Sequence, residues 1–149
     1  MENPDLCYFL GYGQSDKFTA DDRGKFLEEL IKTLAPNSKP VLVSPSMSGS
    51  FSLPLLERNP NLICGYIPVA PVGTGKYPIK SFYESLHVPT MIVYGSKDTG
   101  LGVTSAQNLK HIPTSTEPQI LSNARHPAYL DQPDVWHQLI YNFMLNLSC

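Results

Sequence analysis

The sequence predicts an α/β fold, a mostly parallel sheet with helices on both faces. Two observations carry this. Short apolar, β-branched runs at residues 41–43, 62–69 and 90–94 alternate with segments of helical periodicity. The 14 prolines fall mostly between these segments and act as punctuation. Strands that alternate with helices pair in parallel and are buried on both sides.

Each element has its own signal. Residues 19–35 form a helix: Thr19 can cap it, and Asp21 and Asp22 suit its first turn. Phe26, Leu27, Leu30, Ile31 and Leu34 supply an apolar stripe, and Pro36 stops the helix. A short buried strand covers 41–43, a helix 50–57 and a second strand 62–69. The loop "APVGTGKYP" follows, then a short helix at 79–86. "TMIVY" at 90–94 is the clearest buried strand. A helix spans 101–112 and a brief strand 119–121. The last helix runs over 133–147 with Asp131 as its candidate cap. Trp136, Leu139, Ile140, Phe143, Met144 and Leu147 keep helical spacing and read as core. There are no repeats, low-complexity tracts or internal linkers, so residues 1–149 read as one domain.

Composition narrows the function classes. The chain has 149 residues, 42% hydrophobic and 16% charged, so it can bury a core. A net charge of −2 without a basic patch argues against nucleic acid as a partner. No apolar run approaches the roughly 18 residues of a membrane span. "MENPDLCYFLGYG" lacks the basic flank and long apolar stretch of a secretory signal. Cys7, Cys64 and Cys149 form no framework and no CxxC pair, and their scatter suits a reducing compartment. The expected location is the cytoplasm or the nucleus.

"VLVSPSMSGSFSLPLL" at 41–56 carries the chemistry. An apolar strand breaks into small residues and resumes as a helix. Reactive groups of α/β sheets gather at the carboxyl ends of strands, where Ser46 lies. A nucleophile elbow needs a strained turn that pushes a serine hydroxyl into the open, with small residues two before and two after it. The usual pattern is G-x-S-x-G; here the flanks are Ser44 and Ser48. The backbone N–H of Met47 would face a developing oxyanion. The alternative is a serine-rich loop with a capping serine.

A serine nucleophile needs a base oriented by a third group. "TMIVYGSKDTG" ends a strand and places Asp98 in its loop; "QILSNARHPAYLD" ends another and places His126 before the last helix. Alone, Asp98 could be a turn former and His126 a surface residue. Together, at successive strand ends, they reproduce the chain order Ser, Asp, His of α/β hydrolases. Other motifs fail. "GTGK" at 73–76 has Ala70 and Tyr77 where a phosphate loop needs glycine and Ser or Thr, and "GYGQSD" at 11–16 lacks the third glycine of a dinucleotide site. His87, His111 and His137 share no metal-ligand spacing, so no metal or cofactor is expected.

"SPSMSG", "LPLL", "GYIPVAP", "PTMIVYGSKD" and "HPAYLDQPDVWH" resemble the alpha/beta-hydrolase domain-containing protein 14 family over about residues 11 to 147. The serine-flanked elbow with proline before the nucleophile is its distinctive part. The resemblance implies an alpha/beta-hydrolase fold with Ser46 as nucleophile, Asp98 as acid and His126 as base. It also implies esterase or acyltransferase activity on small acyl groups. That activity includes acyl transfer from a lysine amine to coenzyme A as acceptor substrate. The implied partners are a small acyl ester or acylated amine and a protein partner. "GYGQSD" resembles the loop after the family's fourth strand. The early strands, the His-Gly loop with its second oxyanion donor and the first helix are therefore expected to be missing. The alternative is a catalytically weak interaction module or a truncated isoform.

Overall fold

The structure, a computed structural model, describes residues 19–148. Residues 11–16, and the expectations about a shortened front, lie outside that range. Four strands form one sheet, β1 (Val41–Pro45), β2 (Gly65–Val69), β3 (Val93–Gly95) and β4 (Gln119–Leu121), in the order β1-β2-β3-β4. All three pairings are parallel. The expected strand at 62–69 starts later, because Pro60–Leu62 makes a single tight turn first. The run at 90–94 pairs before its named strand begins: Thr90 bridges to Tyr66 and Ser115, and Met91 N–H donates to Tyr66 O at 2.9 Å.

Among the described residues, five helices accompany the sheet: α1 (Ala20–Leu34), α2 (Gly49–Arg58), α3 (Leu101–Leu109), α4 (Ala128–Asp131) and α5 (Pro133–Leu145). Thr19 caps α1 through a reciprocal box with Asp22, an arrangement worth about 1 kcal/mol. The expected stripe of α1 is only partly used. Ile31 is buried and Leu27 packs on the core, but Phe26 and Leu34 lie on the helix flank and are exposed. The expected helix at 79–86 contracts to one turn, Tyr83–Ser85. Burial of Phe82 and Tyr83 fixes that segment instead, and the Tyr83 hydroxyl donates to Thr74 O at 2.6 Å.

The period-two alternation of β2 splits the core. Tyr66 joins Leu53, Leu55, Leu56, Ile92, Leu109 and their neighbours under α1, α2 and α3. Ile67 and Val69 point the other way, to Val93, Leu121, Ala128 and Trp136 under α4 and α5. Helices thus cover both faces, as two-sided strand burial requires. Of the last helix's apolar positions, Trp136 is buried and Leu139, Ile140 and Phe143 pack beside it, while Met144 is exposed. Cys64, just before β2, is disulfide-bonded, which departs from the expectation that the cysteines form no framework. A disulfide outside a CxxC pair leaves no spacing signature, so Cys64 does not argue for a reducing compartment. No helix among the described residues is long and apolar enough to cross a membrane.

Candidate active site

β1, β3 and β4 deliver Ser46, Asp98 and His126 to the same end of the sheet. Ser46 directly follows β1 and opens a tight turn, Ser46–Ser48, that runs into α2. Its φ of 46° lies in the left-handed region, where a non-glycine residue costs on the order of 1–3 kcal/mol and is held by its surroundings. One hold is external: Val72 N–H donates to Ser46 O at 2.9 Å. After the serine, the chain approaches the 71–72 segment closely at Gly49. A Cβ on Gly49 would meet the Val72 carbonyl oxygen, with Pro71 Cβ at 2.8 Å and Val72 N at 2.9 Å. Ser44, the other small flank, is fully buried.

Asp98 lies in the turn after β3, its N–H bonded to Gly95 O at 2.9 Å. The loop bearing His126 is laced onto this turn. Lys97 N–H donates to Ala124 O at 2.8 Å, Ser96 N–H to Leu121 O at 2.9 Å, and Asn123 N–H to Ser96 Oγ at 2.9 Å. The two segments approach so closely at Gly95 that a Cβ there would collide with the carbonyl oxygens of Ala124 and Arg125. Asn123 takes a left-handed φ of 60°, which asparagine tolerates better than most residues.

This lacing brings the three predicted residues into one chain. His126 Nδ1 lies 2.6 Å from Asp98 Oδ2, and Nε2 lies 2.8 Å from Ser46 Oγ. An ionised carboxylate only accepts, so Nδ1 carries the proton and donates to Asp98. Nε2 of the neutral ring is then the acceptor, and the Ser46 hydroxyl donates to it. The Asp98 side chain is 9% exposed and the His126 ring 41%, so the carboxylate is sheltered while the imidazole reaches solvent. Met47 follows Ser46 in the turn; its side chain is exposed and its carbonyl accepts from Ser50 Oγ at 2.8 Å. His137 sits within α5. No group of three or more His, Cys, Asp or Glu side chains among the described residues could hold a metal ion.

Asp131 corrects an expectation. It does not cap the last helix, which starts at Pro133 without a side-chain cap. Its carboxylate instead accepts from Arg125 N–H at 2.7 Å, Arg125 Nε at 3.0 Å and Arg125 Nη2 at 2.8 Å. The Arg125 side chain, then its backbone N–H, hold the Asp131 carboxyl down at about 2. A forked guanidinium with an adjacent N–H offers more donors than a helix end that proline already starts. The clamp fastens the residue before His126. Gly49, Gly95 and Asp131 all shape the site in ways the sequence reading does not assign to them.

No family model matches the chain. It is 39% identical to Protein ABHD14A of Danio rerio over 143 residues, which are 93% of this chain and 52% of that protein. It is 40% identical to "Putative protein-lysine deacylase ABHD14B" of Pongo abelii over 125 residues, 84% of this chain and 58% of that protein. Over most of its own length the chain is similar to members of the alpha/beta-hydrolase domain-containing protein 14 family. It spans little more than half the length of these family members. Among solved structures, a predicted CIB-like hydrolase from Thermoplasma acidophilum superposes with a TM-score of 0.79 at 22% identity, covering 93% of this chain and 69% of that one. The fold is therefore that of the alpha/beta hydrolases.

Proposed function

We propose that this chain is a serine hydrolase for small acyl groups, with Ser46 as nucleophile, His126 as general base and Asp98 as the group that orients it. The observation that carries the reading is the continuous hydrogen-bond chain from Ser46 Oγ through the His126 ring to Asp98, at 2.8 and 2.6 Å. In the first step Ser46 Oγ attacks the acyl carbon while its proton moves to His126 Nε2. Asp98 stabilises the imidazolium through Nδ1–H, and the Met47 N–H stabilises the oxyanion. The imidazolium then protonates the departing alcohol or amine as the bond from the acyl carbon breaks. Water, its proton taken by His126, attacks the acyl-serine and frees the acid; a thiol acceptor such as coenzyme A would yield a thioester instead. The name of the Pongo abelii relative favours an acylated lysine amine as substrate.

A fluorophosphonate probe tests the assignment. It should label this chain at Ser46 alone, and Ser46→Ala should abolish labelling. Labelling mapped to Ser44 or Ser48, or persisting in the alanine variant, overturns the reading. Release of acetate from an acetyl-lysine peptide, with and without coenzyme A, then separates hydrolysis from transfer.

A further inference from the structure

Under the elbow, three hydroxyl groups meet away from solvent. Ser44 stands two residues before Ser46 on β1, Ser52 six residues after it on α2, and Tyr66 on the neighbouring β2. Their exposures are 0%, 1% and 0%. Ser44 Oγ and Ser52 Oγ are 2.7 Å apart, and Ser52 Oγ and Tyr66 OH are 3.0 Å apart. Leu53, Leu55 and Leu56 on α2 are buried with them.

The usual elbow has glycine where Ser44 stands, and glycine cannot make this bond. The Ser44–Ser52 bond joins the strand entering the turn to the helix leaving it. It therefore spans the residue held at a φ of 46°. Apolar packing would fill the same seam without fixing the separation of strand and helix, because it is not directional. A hydrogen bond sets a distance and an angle, and in a buried place each hydroxyl is costly to leave unpaired. Tyr66 OH lies against Ser52 Oγ from the neighbouring strand and takes no part in the Ser44–Ser52 bond itself.

We infer that Ser44 and Ser52 are positioning residues for the nucleophile: a hydroxyl staple across the elbow that keeps Ser46 Oγ in line with His126 Nε2. This rests on the reading of Ser46 as the nucleophile. It departs from a purely structural role in one measurable respect, the reactivity of Ser46 in protein that is already folded.

The test is the concentration dependence of fluorophosphonate labelling in the full chain, run beside thermal unfolding. Ser44→Ala and Ser52→Ala should each lower the maximal labelling rate about tenfold, the order expected for one lost directional contact. The half-saturating probe concentration should stay unchanged. The double variant should be no slower than either single one, because both remove the same bond. Tyr66→Phe leaves that bond intact and should stay within about threefold of the parent. Variants that melt earlier yet label at the parent's maximal rate overturn the staple while leaving the site assignment intact. If Ser44→Ala does not unfold cooperatively, Ser52→Ala probes the same bond from its other end. Failure of both to fold assigns the pair to folding and overturns the inference. A parent chain that does not label at Ser46 overturns the site assignment and the staple together.

Discussion

Replacing Gly95 by alanine drives a methyl group into the loop that carries His126. An ideal Cβ at Gly95 lies 2.6 Å from the carbonyl carbon of Ala124 and closer still to the carbonyl oxygens of Ala124 and Arg125. Non-bonded carbons settle about 3.5–4.0 Å apart, so one segment must retreat by roughly 1 Å. No pliant side-chain end can absorb this, because the three nearest atoms are all backbone. Gly95 is itself pinned: it pairs with Leu121 and accepts from Asp98 N–H. The retreat therefore falls on 124–125, and His126 is the next residue. Starting from 2.8 Å, a 1 Å withdrawal takes Nε2 out of hydrogen-bond reach of Ser46 Oγ. A misplacement of that size costs on the order of 10²-fold in rate, while the overpacking itself costs about 1–3 kcal/mol of stability. The assay is kcat for p-nitrophenyl acetate, measured well below the melting temperature of each variant. Gly75→Ala is the control: nothing lies within 4 Å of its would-be Cβ, so it should stay within about twofold of the parent. A folded Gly95→Ala protein that turns over within about threefold of the parent would refute this account of how the base is placed.

Ser46→Ala and His126→Ala should be non-additive in rate, with the double variant little worse than either single one; losses that simply add would mean the pair does not act as a unit. Asp131 has a folded pKa of about 2 against an ordinary 3.8, so its contribution is present above pH 4 and is lost as pH falls through 2. Urea midpoints of Asp131→Asn should accordingly vary less over that window than those of the parent, and parallel curves would contradict it. Tyr66 is pushed by burial from 10 to about 12, so its stabilisation is complete below pH 10 and lost as pH rises toward 12. Tyr66→Phe should flatten alkaline unfolding in that range, which urea midpoints would show. Leu55→Ala empties a site that is 0% exposed and should cost about 2–5 kcal/mol by denaturant unfolding; a loss under about 1 kcal/mol would mean the cavity collapses.

What was legible in the sequence was local or periodic. The box at Thr19 and Asp22 is a pattern over four residues, and α1 starts where it says. The strand at 119–121 was read to the residue. Ser46, Asp98 and His126 could be named because each follows a strand, and the structure brings them within hydrogen-bond reach. What escaped depends on pairs of segments far apart in sequence. Nothing in "YGSKD" says that Gly95 must admit the backbone of 124–125, and nothing in "SPSMSG" says that the close approach falls on Gly49 against Val72. Asp131 was misread because its position suits a helix cap, whereas its partner is Arg125 in the preceding loop. Residues 79–86 have helix-like spacing, yet burial of Tyr83 and its bond to Thr74 decide their path. Flank positions of α1 read as core because periodicity marks a stripe without saying how wide its partner is.

Ser46 and His126 are 80 positions apart, and their bond joins the first strand's exit to the loop beyond the last. No segment of the chain can make that contact alone. A partly folded molecule whose fourth strand is not in register keeps its serine but lacks the imidazole beside it. Closing a loop over such a span costs more chain entropy than forming a local turn, so the contact depends on non-local pairing. On the proposed reading of Ser46 as nucleophile, its capture by a reactive probe counts the molecules in which this contact has formed. The same reaction that reports chemistry also shows, molecule by molecule, how much of a preparation has closed that span.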